Sequence, residues 1–308
     1  MTSILIVNHT NHQCGVYQYG YNTTRLASRS TKYNFVRAEC NSLEELIAKE
    51  NEYNPGAIIY NYHSSTIGWV NTNVIARFLH VKHLAIHHEP HQPVPRGINI
   101  IISQDPLEPE GPNRFSVPRI LHDYSGPVPK NEVLTIGTFG FGLGGKGYDR
   151  LVERVQQEFD EAHIRMHIPY AHYGDQDGFQ ARGWADVARS RITKPGITLS
   201  IDHDWFVTED LLKFLAGNDL NFFMYDDMAR GISGVLDFAL SVPRPLAITG
   251  SLMFKHVWQL VPNVLVEHNS LVDILARGIE PLKPLYEMWS NDKFTRAYER
   301  IIDTVLWA

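Results

Sequence analysis

The stretch that decides the fold is Thr135 to Arg150, TIGTFGFGLGGKGYDR. It opens as an apolar run and passes six glycines (Gly137, Gly140, Gly142, Gly144, Gly145 and Gly147). It then enters LVERVQQEF, where Leu151, Val155 and Phe159 recur at helical spacing. Strand, glycine loop and amphipathic helix in that order leave open backbone N–H groups at a helix start. Those groups, with the helix dipole, favour an anion. Lys146 adds a cation at the same end, so the segment reads as a phosphate site, with a plain tight turn as the alternative. Two sharper patterns fall short. Gly140, Gly142 and Gly145 satisfy G-x-G-x-x-G, but the next apolar run, His163 to Ile168, ends in Pro169 and Tyr170 without the acidic residue that would hold a dinucleotide ribose. Gly140 to Lys146 nearly spells a P-loop, but Gly147 stands where a Ser or Thr would hold magnesium.

At 308 residues the chain has room for two cores. Charged residues make up 20% and the formal net charge is -6, which gives no general attraction to nucleic acid or anionic lipid. Residues 1–125 carry ten Lys/Arg against ten Asp/Glu and nine of the 15 histidines. Two cysteines, Cys14 and Cys40, are too few for a disulfide framework and fit a reducing, cytoplasmic setting. The opening MTSILIVNHT has no basic region and too short an apolar run for a signal peptide. No apolar run approaches membrane-spanning length.

Outward from the glycine stretch, strands and helices alternate in both directions. Before it, strands are expected at Ile4–Val7, Asn34–Val36, Ala57–Tyr60, Val81–Ile86 and Asn99–Ile102, with helices over Tyr17–Ala27 and after Asn41-Ser42. After it, strands are expected at 163–168, Ile197–Ile201, Leu220–Tyr225, Leu246–Ile248 and Asn263–Val266. Helices are expected at 149–159, Trp184–Arg191, from Thr208, within Gly231–Leu240, at Leu271–Arg277 and over Trp289–Trp307. Such alternation implies parallel sheets with right-handed crossovers. Pro118 to Pro129 interrupts it, which predicts domains at 1–127 and 128–308.

Ligands of parallel sheets collect at the carboxyl ends of strands. In the first domain those loops are Asn8–Gly15, Asn61–Ser65 and His87–His91, and all three carry histidine. His83, His87, His88 and His91 with Glu89 invite a metal reading, but no cysteine pair or H-E-x-x-H accompanies them. A strand-end histidine that hydrogen-bonds or handles a proton fits better. Asp175-Gln176-Asp177-Gly178 resembles a calcium loop without its later acidic ligand and reads as a turn. In the second domain Gly231-Ile232-Ser233-Gly234 heads another helix. Ser233 is a natural N-cap there, and the N–H groups behind it make a second anion site.

These blocks together resemble family 4 glycosyltransferases of the GT-B fold. IGTFGFGLGGKGYDRLVE followed by IRMHI, and LLKFLAGNDLNFFMYDD followed by SGVLDFALSVPRPLAITGSLMF, carry the likeness in the second domain. CGVYQYGYNTTRLA and LAIHHEP carry it in the first. The resemblance implies an α/β chain of two Rossmann-like domains whose parallel sheets face an interdomain cleft, with the last helix, about 291–307, crossing back to the first domain. It implies transfer of a sugar from a nucleotide diphosphate sugar, UDP or GDP, with retention at the anomeric carbon. It implies no metal and no cofactor beyond that donor, because protein groups take the diphosphate charge.

By position, the resemblance makes Lys146 the partner of the diphosphate and Ser233, Gly234 and Val235 donors of N–H groups to it. Gly15 and Val16 would approach from the first domain, and His88 would lie by the transferred sugar. Gly142, in the glycine loop, would also contact the donor. Asp204 to Thr208, Phe206 included, would flank the base, with Tyr225 beside it. The sequence departs from the family in three places. Phe141 replaces an arginine, and Ala229 and Asp237 replace a pair of glutamates. Arg230 would restore positive charge. The departures motivate a rival reading, a non-catalytic binding protein of the same fold. An NAD-dependent oxidoreductase is the third. The acceptor is open: glycan, lipid-linked, small molecule or nucleic acid, although the first domain's neutral charge balance lends nucleic acid no support.

Overall fold

The computed structural model describes residues 1–89, 91–227 and 231–307. The chain divides into two compact units. The first comprises Met1–Ile120, Arg230–Ile232 and Met288–Ala308, and the second Leu121–Ala229 and Ser233–Glu287.

The first unit is built on β1 (Ser3–Asn8), β2 (Asn34–Glu39), β3 (Ala57–Tyr62), β4 (Lys82–His87), β5 (Ile100–Ser103) and β6 (Arg114–Ser116). They form one sheet in the order β2-β1-β3-β4-β5-β6, and each named neighbour pair is parallel. Ser3 to Asn8 is apolar on both sides because both sides are covered. Ile4 and Ile6 enter a core with Leu26 of α1 (Gly15–Ala27), while Leu5 and Val7 enter another with Leu46 of α2 (Leu43–Tyr53). Helix α2 starts on a Ser42 N-cap, with the Glu45 carboxylate reaching back to the residue before it. Glu45 N–H donates to Ser42 Oγ at 3.3 Å, and Asn41 N–H donates to Glu45 Oε2 at 2.6 Å. It stops at Asn54, whose φ of 41° ends the helical run just before Pro55. A four-residue helix, α3 (Thr72–Ile75), precedes β4.

The second unit is built on β7 (Thr135–Phe139), β8 (Ala162–His167), β9 (Ile197–Asp202), β10 (Leu220–Phe223) and β11 (Leu246–Ile248), in the order β11-β10-β7-β8-β9 and again parallel. Its helices are α4 (Tyr148–Glu158), α5 (Phe179–Ser190), α6 (Thr208–Ala216), α7 (Val235–Ala239), α8 (Lys255–Trp258) and α9 (Leu271–Arg277). Leu151, Val152 and Val155 of α4 pack with Ile136, Ile164 and Phe222 of the sheet. After α10 (Lys283–Met288), the last helix α11 (Asn291–Trp307) buries Phe294, Tyr298, Ile301, Ile302 and Val305 in the core of the first unit, against Ile4, Phe35 and Phe115. No helix of the described residues is long and apolar enough to cross a membrane.

Four local readings change. Helix α5 begins at Phe179, not Trp184, because the buried Asp175 carboxylate accepts from the Gln180 and Ala181 amides at 2.8 and 2.9 Å. The expected strand over Asn263–Val266 is a 3-10 turn at Pro262–Val264 with a single bridge from Leu265 to Ile248. The short edge strand β6 has no counterpart in the sequence reading. Helix α7 has five residues, and its N-cap is Gly234 rather than Ser233.

In each sheet the chain builds outward from the first strand in two directions, so β1/β3 and β7/β10 are the points where strand order reverses. The crevice beyond the carboxyl ends at such a point is where open α/β sheets bind ligands.

Candidate functional site

In the second unit the reversal point is occupied by the glycine loop and the end of β10. Gly140, Gly145 and Gly147 have φ of 154°, 81° and 64°. Gly147 is the N-cap of α4, and a Cβ there would stand 2.0 Å from Met224 O, so only glycine fits. The loop is tied to the strand end. Asp226 N–H donates to Gly145 O at 2.9 Å, Arg150 donates to Met224 O at 2.8 Å, and Arg150 pairs with Asp226 at 2.6 Å. Among the described residues, the amides from Phe141 to Gly145 and from Tyr148 to Arg150 find no acceptor. Lys146 Nζ stands 3.8 Å from the centroid of the Tyr225 ring, a cation held on an aromatic face at the head of a helix.

Tyr225 is 2% exposed, and among the described residues its hydroxyl has no hydrogen-bond partner within ordinary limits. Burial holds its pKa far above the usual phenol range, with Ser233 nearby pulling the other way. The Tyr148 hydroxyl donates to Gly140 O at 2.7 Å and packs under the loop. Thus Lys146, Tyr225, Ser233 and the loop amides share one end of the second sheet.

The remaining donor candidates divide. Ser233 N–H donates to Met253 O at 3.1 Å, so it is spent within the unit and is not one of the open donors. Its backbone holds the turn in place instead. The amides of Gly234 and Val235 find no acceptor among the described residues. Asp237 is buried, and its amide donates to Gly234 O at 3.2 Å. Gly142 serves packing, since a Cβ there would stand 2.3 Å from Ala181 Cα of α5. Arg230 and Ala229 lie outside the described residues.

After β9, Asp204 is exposed and its amide donates to Asp202 Oδ1 at 2.9 Å. Phe206 is turned inward. Its ring stacks on His167 at 3.9 Å between centroids and meets Phe214 edge-on at 6.1 Å, so one face is already taken. Its neighbour Trp205, within the stretch expected to flank the base, has a ring lying parallel to Phe141 at 6.2 Å. Phe141, where the family places an arginine, therefore presents an aromatic face and no charge.

In the first unit, the reversal point carries the N-terminus of α1, Asn8, Asn61 and His88. Gly15 is exposed at the first position of α1, with nothing within 4 Å of its Cβ direction. Val16 follows it, and the Cys14 N-cap makes no side-chain cap. Burial pushes the Cys14 thiol up against the pull of the Val16 and Tyr17 amides. Asn8 Nδ2 donates to Tyr17 O at 3.0 Å. Asn61 Nδ2 donates to Val16 O at 2.7 Å and to Asn8 Oδ1 at 3.0 Å. His88 Nε2 meets Asn61 Oδ1 at 2.6 Å, and its Nδ1 meets Gln104 Nε2 at 2.5 Å. Burial holds the imidazole pKa well below its usual range, and His63, Arg119, His87 and His9 around it push the same way. His88 is thus a neutral ring with both nitrogens engaged. Among the described residues, no group of three or more His, Cys, Asp and Glu is arranged to hold a metal ion.

No family model and no curated protein matches the sequence. Solved structures do match along the whole chain. A glycosyltransferase from Rickettsia africae ESF-5 superposes with a TM-score of 0.69 at 11% identity, over 99% of this chain and 98% of that one. Sucrose-phosphate synthase from Thermosynechococcus elongatus superposes with a TM-score of 0.67 at 10% identity, over 100% of both. A structure described as trehalose-6-phosphate from E. coli bound with UDP-2-fluoro glucose gives 0.65 at 10% identity, over 100% of this chain and 99% of that one. What this likeness establishes is architecture: the chain has the GT-B fold, two Rossmann-like units of parallel strands.

Proposed function

We propose that the chain is a glycosyltransferase that takes a sugar from a nucleotide diphosphate sugar and passes it to an acceptor with retention at the anomeric carbon. The observation that carries the reading is Lys146. Its ammonium is held over the Tyr225 ring at the head of α4, where strand order reverses and a run of loop amides has no described acceptor. Breaking the bond from the anomeric carbon to the diphosphate leaves negative charge on the departing oxygen. A fixed cation and fixed N–H groups stabilise that charge more in the transition state than before it. The amides of Gly234 and Val235 add to the same task. In the first unit, Gly15 and Val16 are the candidates for contact with a donor and His88 for contact with a sugar. Phe206 is replaced by Trp205 and Phe141 as the aromatic surface near the base, with Asp204 on the same loop. UDP is the favoured nucleotide, because a protein of the same fold holds UDP-2-fluoro glucose.

In this scheme Lys146 and the amides stand where other enzymes place a divalent cation, so chelation with EDTA leaves turnover unchanged. Release of nucleotide diphosphate from UDP-glucose and from other sugar nucleotides tests the reading. Lys146→Ala lowers that release about 100- to 1,000-fold, the usual effect of removing one such stabilising group. A second reading, a binding protein of the same fold, draws on the uncharged Phe141, which stacks on Trp205 rather than facing a phosphate with a cation. It predicts that UDP binds with no release from any sugar nucleotide.

A further inference from the structure

We propose that Asn61 is a positioning residue. Held by the first turn of α1, it locks His88 as the Nε2–H tautomer, so that Nδ1 is the nitrogen presented to a substrate hydroxyl. The inference rests on the glycosyltransferase reading for its substrate and on hydrogen-bond direction for its chemistry.

The two ends of the Asn61 amide can be told apart by what they face. Its Nδ2 lies 2.7 Å from Val16 O and 3.0 Å from Asn8 Oδ1. Val16 O is a carbonyl oxygen and can only accept, so the NH2 end must be there. Asn8 is oriented in turn, because its Nδ2 faces Tyr17 O and its Oδ1 also takes the His9 amide at 3.1 Å. The carbonyl end of Asn61 therefore faces His88, 2.6 Å from Nε2, and that nitrogen must carry the proton. In the neutral ring Nδ1 is then an acceptor, and Gln104 donates to it. Asn61 is fully buried and leaves no room to turn, since a Cβ on Gly20 of α1 would stand 2.5 Å from its Nδ2. Gln104 is a different kind of partner, a single amide N–H that a substrate hydroxyl can replace donor for donor. His9, His63, His87, Arg119 and Tyr19 also face His88. The three histidines and the arginine oppose its protonation, and the tyrosine ring meets it edge-on at 5.5 Å. The arrangement ties the segment that approaches the donor, Gly15 and Val16, to the ring that meets the sugar.

The test is 15N NMR of the histidine side chains in the full chain, read with donor turnover. The wild type shows a pyrrole-like Nε2 and a pyridine-like Nδ1 for His88, and Gln104→Ala keeps that pattern. Asn61→Asp puts a carboxylate against Nε2–H and raises the His88 titration by about a unit. Turnover in that variant loses its neutral ring at a higher pH than the wild type does, so the acid limb of its pH profile moves up, with kcat rather than KM affected. A pyrrole-like Nδ1, or averaged tautomers in the wild type, overturns the proposal. So does Asn61→Asp with an unchanged His88 titration. Should no sugar nucleotide be turned over by the wild type, the glycosyltransferase reading fails on its own, and the NMR spectrum still decides the tautomer.

Discussion

At the scale of single residues, the ends of the strands carry polar groups that burial has tuned. His167 ends β8 at 2% exposure, stacked on Phe206, with Nδ1 3.3 Å from Asp202 Oδ1. Burial drives its pKa down to about 4, with Asp202 opposing. An unfolded histidine takes its proton near 6.5, so below that value the unfolded chain binds more protons than the folded one. The stability from the neutral buried ring is fully present above about pH 6.5 and is lost as pH falls towards 4. Melting temperature measured from neutral to acid pH should therefore fall across that window, and His167→Gln should flatten the fall; an unchanged slope contradicts the assignment. Lys146 and the glycines around it were legible in the sequence because charge and φ freedom are properties of a residue type. The company of His88 was not. Asn61 and Gln104 lie 27 and 16 positions from it, and only the sheet brings the three together.

Elements were legible where one physical cause acts along the chain. Strands such as Ile4–Val7 and Ala57–Tyr60 showed as short apolar runs because parallel strands are covered on both faces. Boundaries set by a side chain folding back were not. The start of α5 depends on Asp175, whose carboxylate satisfies two backbone amides of the first turn. The DQDG segment that resembled an ion loop is thus a helix cap. Asp175→Ala should cost about 2 kcal/mol, since it leaves buried donors unmet. Amide exchange over 179–184 should speed up, with β7 and α4 unaffected; uniform loss of protection would place the role of Asp175 elsewhere. The same lesson applies to Ser233. Its residue type signalled an N-cap, yet its amide is bound to Met253 O and the cap has shifted to Gly234.

At the scale of the whole molecule, the sequence is not stored unit by unit. Helix α11, the last element in the chain, completes the core that β1, the first, begins. Tyr298 in that helix is fully buried, 5.0 Å from the Phe294 ring and 6.2 Å from Phe35. Tyr298→Ala should cost the first unit about 3 kcal/mol or more. Hydrogen exchange should then quicken in β1 to β5 and leave β7 to β11 as they were; equal effects on both would contradict separate cores. The alternation of strands and helices made parallel α/β sheets readable in both units, while the likeness to the GT-B fold was carried by the glycine-loop and SGVL blocks. The proposed chemistry rests on a narrower feature, one lysine over one tyrosine ring at the head of α4. Calorimetric titration of the protein with UDP, GDP, ADP and NAD tests that claim most directly. The account predicts that a nucleoside diphosphate binds, that NAD does not, and that Lys146→Ala weakens binding of the diphosphate at least tenfold, about 1.4 kcal/mol, without changing the melting temperature. Equal binding by the wild type and Lys146→Ala, or no binding of any diphosphate, would contradict it.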